Sequence, residues 1–216
     1  LSALDNVTLV SNSDAHSLNN LGREANYFLF KDDIDITYDE ITRIIKTGDR
    51  KKFLYTIEFY PEEGKYHHDG HAACAIILSP KETRAKKFLC PKCKKSVTVG
   101  VLHRVEDLAD RPATPTFIPP QKGEGQGVGF IPHKYIVPLK EVIAKVFGVG
   151  PASKKVVKEY EAMIKNFGSE FFILLKADIK EIAKNVSDKD IALAIANMRV
   201  GNVKVKPGYD GLFGSV

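Results

Sequence analysis

Two short-spaced pairs of potential metal ligands constrain the fold of this chain most strongly. His71 and Cys74 form a His-x-x-Cys pair, and Cys90 and Cys93 form a Cys-x-x-Cys pair around a Pro-Lys turn. Structural zinc takes four nitrogen or sulfur ligands in a tetrahedron, often as two such pairs. Because the chain has only three cysteines, we expect a histidine as the fourth ligand. The sequence therefore predicts a structural Zn²⁺ site made by these two pairs.

Other interpretations of these residues remain open at this stage. His67, His68 and His103 lie in the same region and are alternative fourth ligands, or else surface or nucleic-acid-facing groups. The cysteines are alternatively free buried thiols, since cysteine is among the most buried residue types. Three cysteines do not make a disulfide framework and fit metal ligation in a reducing compartment. We therefore expect a cytoplasmic protein.

Length and hydropathy limit the class of protein. The 216 residues, 44% hydrophobic and 27% charged, suit one large or two small globular domains. The longest apolar runs are far shorter than the roughly 20 residues that a membrane-spanning helix needs, and the N-terminus lacks a signal pattern. We expect no membrane partner.

Hydrophobic patterning predicts elements of both kinds. Residues 7–10 read as a buried strand, residues 38–47 as an amphipathic helix ended by Gly48, and residues 52–60 as a second strand. Short β-like runs cover residues 75–78 and 97–102. Four helices are predicted further on, at residues 139–147, after the turn 148–151, at residues 171–183 and after Ser187. Between these halves, residues 112–132 hold five prolines and four glycines and predict a linker.

The charge distribution suggests a nucleic-acid partner. The net charge is +5, and residues 81–104 hold eight lysines and arginines against the single acid Glu82. A local positive field of this kind suits phosphate backbones. The alternative is an ordinary lysine-rich surface, and charge alone does not decide between them.

Asp14 and His16 are candidate ligands of a second metal. In an extended strand they project to the same side, at the end where catalytic ligands collect in barrel-like α/β folds. A carboxylate and an imidazole suit Zn²⁺ or Mn²⁺. A capped turn or a surface pair is the alternative.

Residues 13–17 and 21–26 resemble the last metal-binding motif of the polymerase and histidinol phosphatase (PHP) superfamily. Several further segments resemble one family within it, endonuclease Q, whose members nick DNA 5′ to deaminated bases and abasic sites. Those segments are residues 58–71, the Cys90–Cys93 pair, residues 101–112 and the Pro-Gly-Tyr-Asp-Gly tail at 207–211. The resemblance spans nearly the whole chain.

The resemblance implies a mixed α/β fold in four segments. These are the C-terminal end of a PHP-type β/α barrel (1–60), a zinc-binding insert (61–111), the linker (112–133) and a helical C-terminal domain (134–216). Asp14 and His16 match the final two active-site ligands, for Zn²⁺, Mn²⁺ or Mg²⁺. The early His-x-His of the family has no counterpart here. The resemblance therefore implies damaged DNA as partner, most of the barrel missing and supplied by an N-terminal PHP portion, and negligible nuclease activity of this chain alone.

The sequence leaves two rival functions open. One is a non-catalytic, zinc-bearing nucleic-acid-binding protein, and the other is a PHP-type phosphatase of small phosphoesters. Gly148-Val149-Gly150-Pro151 also resembles the hairpin of a helix-hairpin-helix element, although a plain turn is the simpler interpretation. Tyr66, Tyr135 and Tyr209 are candidates for stacking on an unpaired base.

Overall fold

A computed structural model describes residues 1–111 and 131–216. The strands are β1 (Ala25–Phe28), β2 (Phe53–Glu58), β3 (Asp69–His71), β4 (Ile76–Leu78) and β5 (His133–Tyr135). The α-helices are α1 (Tyr38–Thr47), α2 (Pro80–Ala85), α3 (Val101–Leu108), α4 (Leu139–Phe147), α5 (Lys154–Phe167), α6 (Glu170–Leu175), α7 (Ile179–Lys184) and α8 (Lys189–Arg199). The predicted mixed α/β class is confirmed. Most of the predicted linker, residues 112–130, lies outside the described residues.

The chain divides into two compact units. The first comprises residues 1–134 and 205–216, and the second comprises residues 135–204. The tail 205–216, which we assigned from the sequence to the helical domain, thus groups with the first unit. No described helix is long and apolar enough to cross a lipid bilayer.

A small sheet and α1 form one core of the first unit. The sheet has the order β1-β2-β5, with β1 antiparallel to β2. Ile44 of α1 and Phe53 of β2 are buried together with Ile131. Thr37 caps α1 by accepting a hydrogen bond from the Glu40 backbone, and Gly48 ends the helix in the left-handed conformation (φ 58°). The predicted helix at residues 38–47 and the strand after it are confirmed.

The predicted buried strand at residues 7–10 is wrong. These residues have no strand geometry, and Val7, Leu9 and Val10 are exposed. A strand needs a hydrogen-bonded neighbour on at least one side, and no strand in the described part of the chain pairs with this segment. Beyond it, the Ser11 backbone exchanges hydrogen bonds of 2.9 and 2.8 Å with the Asn26 side chain, which fixes the chain beside β1.

β3 and β4 form an antiparallel hairpin in the middle of the first unit. A capping box begins α2, since Ser79 accepts from the Glu82 backbone while the Glu82 carboxylate accepts from the Ser79 backbone. The predicted β-like run at residues 97–102 is partly wrong. Thr98 makes one bridge to Gly70, but α3 begins at Val101 with Gly100 as its N-cap.

The second unit is helical, as predicted for its sequence. Five helices bury a core that includes Leu139, Ile143, Met163, Ile173 and Ile195. The single predicted helix at residues 171–183 is two helices, α6 and α7. Asp178 separates them because its carboxylate accepts from the backbones of Lys180 and Glu181 and starts a new helix. The cap of α8 is Asp188, one residue beyond the predicted Ser187.

Candidate functional site

The four residues of the two predicted pairs lie together. His71, Cys74, Cys90 and Cys93 each offer one ligand atom, and these atoms all lie within 4.8 Å of one another. The Sγ atom of Cys93 is 3.5 Å from Nδ1 of His71. Ligands about 2.3 Å from a tetrahedral zinc ion are about 3.8 Å apart. The donor set and its spacing fit Zn²⁺, and among the described residues this is the one such group of three or more potential ligands.

Local backbone geometry brings the two pairs together. His71 ends β3, and Cys74 lies in the 3-10 turn that follows, which closes with Ala75 at φ 51°. Cys90 and Cys93 lie in a tight turn, where Lys94 donates to the Cys90 carbonyl at 2.9 Å and Cys90 donates to the Lys95 carbonyl at 2.8 Å. Two turns are thereby held with their ligand atoms facing each other.

The thiols perturb one another electrostatically. Burial raises the pKa of Cys90, but backbone N–H groups of Cys93 and Lys92 and the neighbouring thiols outweigh burial and lower the pKa to about 6. The pKa of Cys74 is raised to about 11, first by its hydrogen bond to Cys93 and then by burial. The thiolate form of Cys90 is thus favoured and that of Cys74 is disfavoured, because anions this close repel each other. A bound divalent cation removes that conflict.

The three histidines considered as alternative fourth ligands, His67, His68 and His103, are not in this cluster. His103 is 2% exposed and donates from Nδ1 to Asp69 Oδ2 at 2.5 Å. His67 and His68 lie beside each other, with ring centroids 5.0 Å apart. The geometry therefore favours His71 as the fourth ligand, as the pair spacing predicted.

Asp210 supports the metal cluster from the C-terminal tail. Its carboxylate accepts from the Ala72 backbone at 2.6 Å, next to the candidate ligand His71, and from the Thr98 hydroxyl at 2.5 Å. The Thr98 hydrogen bond, followed by that from Ala72, lowers the pKa of Asp210. We did not single out this residue from the sequence. Its one signal was the Pro-Gly-Tyr-Asp-Gly tail.

The basic residues of this region are mostly exposed. Arg84 pairs with Glu106 and Asp107, and Lys92 donates to the Cys74 carbonyl at 2.9 Å. Five others are exposed and make no ion pair with another described residue: Lys81, Lys86, Lys87, Lys95 and Arg104. The positive field predicted from the sequence is therefore presented to solvent.

Asp14 and His16 lie in an irregular, exposed segment rather than at the end of a strand. Nδ1 of His16 donates to the backbone carbonyl of Asp14 at 2.8 Å. Since a carbonyl oxygen only accepts, this contact places the ring proton on Nδ1 and leaves Nε2 as the ligand atom. No third His, Cys, Asp or Glu joins the pair within the described ranges. Their role in binding a catalytic metal stays a prediction.

Solved structures are similar to this chain along its whole length. The lesion-specific endonuclease PfuEndoQ from Pyrococcus furiosus matches with a TM-score of 0.82 and 31% identity, covering 100% of this chain and 50% of that one. This chain is similar to endonuclease Q. An endonuclease Q complex with a 27-mer duplex carrying an abasic lesion matches with a TM-score of 0.77 and 30% identity, covering 51% of its length. The resemblance to endonuclease Q predicted from the sequence is confirmed.

One protein family and two curated proteins also match this chain by sequence. Residues 138–202 match the family described as the MJ0043 C-terminal domain. The uncharacterized protein MJ0043 of Methanocaldococcus jannaschii is 32% identical over 99% of this chain and 26% of its own length. The uncharacterized protein YqxK of Bacillus subtilis is 30% identical over 100% of this chain and 48% of its own length. The chain thus spans between a quarter and a half of the length of these curated relatives.

Proposed function

We propose that this chain is the DNA-engaging and zinc-bearing part of a metal-dependent DNA repair endonuclease of the endonuclease Q type. The reaction is hydrolysis of a phosphodiester bond 5′ to a deaminated base or an abasic site. The observation that carries the proposal is the match of this whole chain to half of PfuEndoQ at a TM-score of 0.82. The matches to endonucleases favour neither the small-molecule phosphatase nor the non-catalytic rival, although the absence of a His-x-His pair fits the non-catalytic one.

In this proposal residues 1–60 are the last part of a PHP-type barrel, and Asp14 and His16 supply two ligands of its catalytic centre. A catalytic Zn²⁺, Mn²⁺ or Mg²⁺ held there would lower the pKa of a bound water and stabilise the departing oxygen. The contribution of this chain is positional: the Asp14 carbonyl orients the His16 ring, so that Nε2 is presented as a ligand. The remaining ligands come from an N-terminal PHP portion.

The zinc cluster and the basic residues around it have a separate role in the proposal. Zn²⁺ at the His71–Cys93 cluster is structural, because the four protein ligands leave no open position for substrate. The exposed Lys86 and Lys95 lie in or next to the same turns. We propose that the metal holds these turns so that their lysines meet the DNA backbone. Three free thiols fit a reducing environment, and we propose an intracellular location on that basis.

DNA binding by the chain is expected to be strongly salt-dependent. Replacing Lys86 and Lys95 by glutamine should reduce the slope of log K against log salt by about 2, because each phosphate contact contributes about 0.9. Fluorescence anisotropy with an abasic duplex and an intact duplex, at several salt concentrations, measures this slope. Glutamine at Lys158 and Lys165, which are exposed lysines of α5, is the matched control. If the two double variants have equal salt slopes, Lys86 and Lys95 do not contact DNA phosphates, and this part of the proposal is wrong.

Nuclease activity of the 216-residue chain alone is expected to be negligible. Asp14 and His16 form no larger ligand cluster with other described residues, and two protein ligands do not hold a catalytic metal centre. A labelled duplex with an abasic site or a uracil, incubated with Mn²⁺, Mg²⁺ or Zn²⁺, provides the measurement. Cleavage that requires metal and is lost in Asp14→Ala would contradict the requirement for an N-terminal portion.

A further inference from the structure

Two loops of the first unit form a surface that we call the clasp, comprising residues 62–66 and 207–214. Backbone hydrogen bonds join the loops along their length: Gly208 donates to the Glu62 carbonyl at 2.7 Å, Gly214 to Glu63 at 3.0 Å and Gly211 to Lys65 at 3.1 Å. One further bond runs from the His68 backbone to the Gly208 carbonyl at 3.0 Å. The clasp is therefore held from both sides by main-chain contacts.

Glycines allow the two loops to approach this closely. A Cβ atom on Gly208 would lie 2.3 Å from the Gly64 carbonyl oxygen, and one on Gly214 would lie 2.2 Å from the Glu62 carbonyl oxygen. Both obstacles are backbone atoms, which do not move aside as a flexible side chain does. The loops are thus packed backbone to backbone, which fixes the backbone positions from which their side chains extend.

The clasp carries two exposed aromatic side chains. Phe213 is 73% exposed and Tyr66 is 52% exposed. Nζ of Lys65 lies 4.6 Å from the centre of the Phe213 ring. Exposing a phenylalanine forfeits the favourable burial of a large apolar side chain, about 1.5–3 kcal/mol. An aromatic ring exposed on this loop pair, with a cation beside it, is accessible for stacking by a flat ligand.

The charged residues around the clasp indicate which kind of partner it binds. Lys65 and Lys206 are exposed and positive. The acids of the same loops, Glu62, Glu63 and Asp210, are half-buried, and the Asp210 carboxylate accepts from the Ala72 backbone and the Thr98 hydroxyl. A cation placed on an open aromatic ring matches a nucleotide, which offers a flat base and a phosphate a few ångströms apart.

We propose that the clasp binds an unpaired base of a nucleic acid strand. The base stacks on Phe213 or Tyr66, and Lys65 contacts the adjacent phosphate. Bases inside a duplex already have both faces stacked, so the surface selects strands with an unpaired or displaced base. This inference rests on the proposed function. Of the three tyrosines that the sequence offers as candidates for stacking on a base, it selects Tyr66.

The test measures binding of the 216-residue chain to a 12-nucleotide single strand and to a blunt intact duplex by anisotropy. Phe213→Ala should weaken single-strand binding by roughly 5- to 100-fold, since stacking contributes about 1–3 kcal/mol per base. Its effect on the intact duplex should stay below about twofold. Phe213→Tyr should retain the wild-type affinity. Val200→Ala, at a position 78% exposed in the second unit, is the control for truncating an exposed apolar side chain.

A spectroscopic readout separates stacking from general loss of affinity. A strand carrying 2-aminopurine should be quenched at saturating wild-type protein and should recover its fluorescence with Phe213→Ala. Circular dichroism and zinc content should match between the variants. Unchanged single-strand affinity in Phe213→Ala would overturn the clasp proposal. The salt dependence of DNA binding by the Lys86 and Lys95 variant tests the proposed function independently.

Two further outcomes also count against the clasp. If the wild-type chain binds neither strand nor duplex at low salt, the clasp proposal falls together with the function on which it rests. If sedimentation shows a dimer that Phe213→Ala converts to a monomer while single-strand affinity is unchanged, the occupant of the clasp is a second copy of the chain.

Discussion

Cys90→Ser is expected to lose bound Zn²⁺ and to unfold the hairpin of β3 and β4, while the helices of the second unit stay folded. The residues around the four candidate ligands have little core of their own, a cluster of Leu78, Cys90 and Val97. Structural zinc contributes about 10–16 kcal/mol of apparent binding free energy in small domains, and such domains unfold without it. Metal content by mass spectrometry and amide hydrogen exchange of residues 69–98 provide the measurements.

A matched variant and a chelator sharpen this prediction. Ser96→Ala changes an exposed residue of the same turn region that is not a ligand, and it should retain about one zinc per chain. A chelator should reproduce the exchange pattern of Cys90→Ser in the wild-type chain, and added Zn²⁺ should reverse it. Full zinc content in Cys90→Ser, or unchanged protection after chelation, would show that the four residues do not form a structural zinc site.

The sequence predicted those elements whose signals are local. Helix α1 carries its own cap at Thr37 and its own stop at Gly48, so that neighbouring residues were sufficient to place it. The metal cluster was predictable for a similar reason. Each pair spans four residues, and the chemistry of zinc required the two pairs to meet.

Features that depend on distant residues were not predictable. Residues 7–10 have strand-like side chains, but a strand exists only beside a partner, and no pattern within the segment indicates whether one is present. Asp210 meets Ala72 across 138 positions of sequence. His103 was weighed as a ligand or a surface group, yet it is buried against Asp69, 34 residues earlier. Only the folded chain brings such pairs together.

Asp69→Ala is expected to destabilise the first unit by about 3 kcal/mol or more. Asp69 is 0% exposed, and its two carboxylate oxygens accept from the Gly100 backbone at 2.6 Å and from His103 Nδ1 at 2.5 Å. These bonds tie β3, which leads into His71, to the start of α3. Removing the carboxylate leaves two buried donors without a partner, and each costs about 1–3 kcal/mol.

Native-state hydrogen exchange of the Gly70 and Thr98 amides measures this effect, because a chain with two compact units need not unfold in one step. Asp107→Ala is the control: it removes another carboxylate near His103, but an exposed one that pairs with Arg84 at 2.7 Å, and it should destabilise the first unit far less than Asp69→Ala does. The double variant Asp69→Ala with His103→Ala should cost less than the sum of the two single variants, because each single change leaves the other partner unpaired. Additive costs, or an Asp69→Ala variant no less stable than Asp107→Ala, would mean that the zinc region is held by its metal ligands alone.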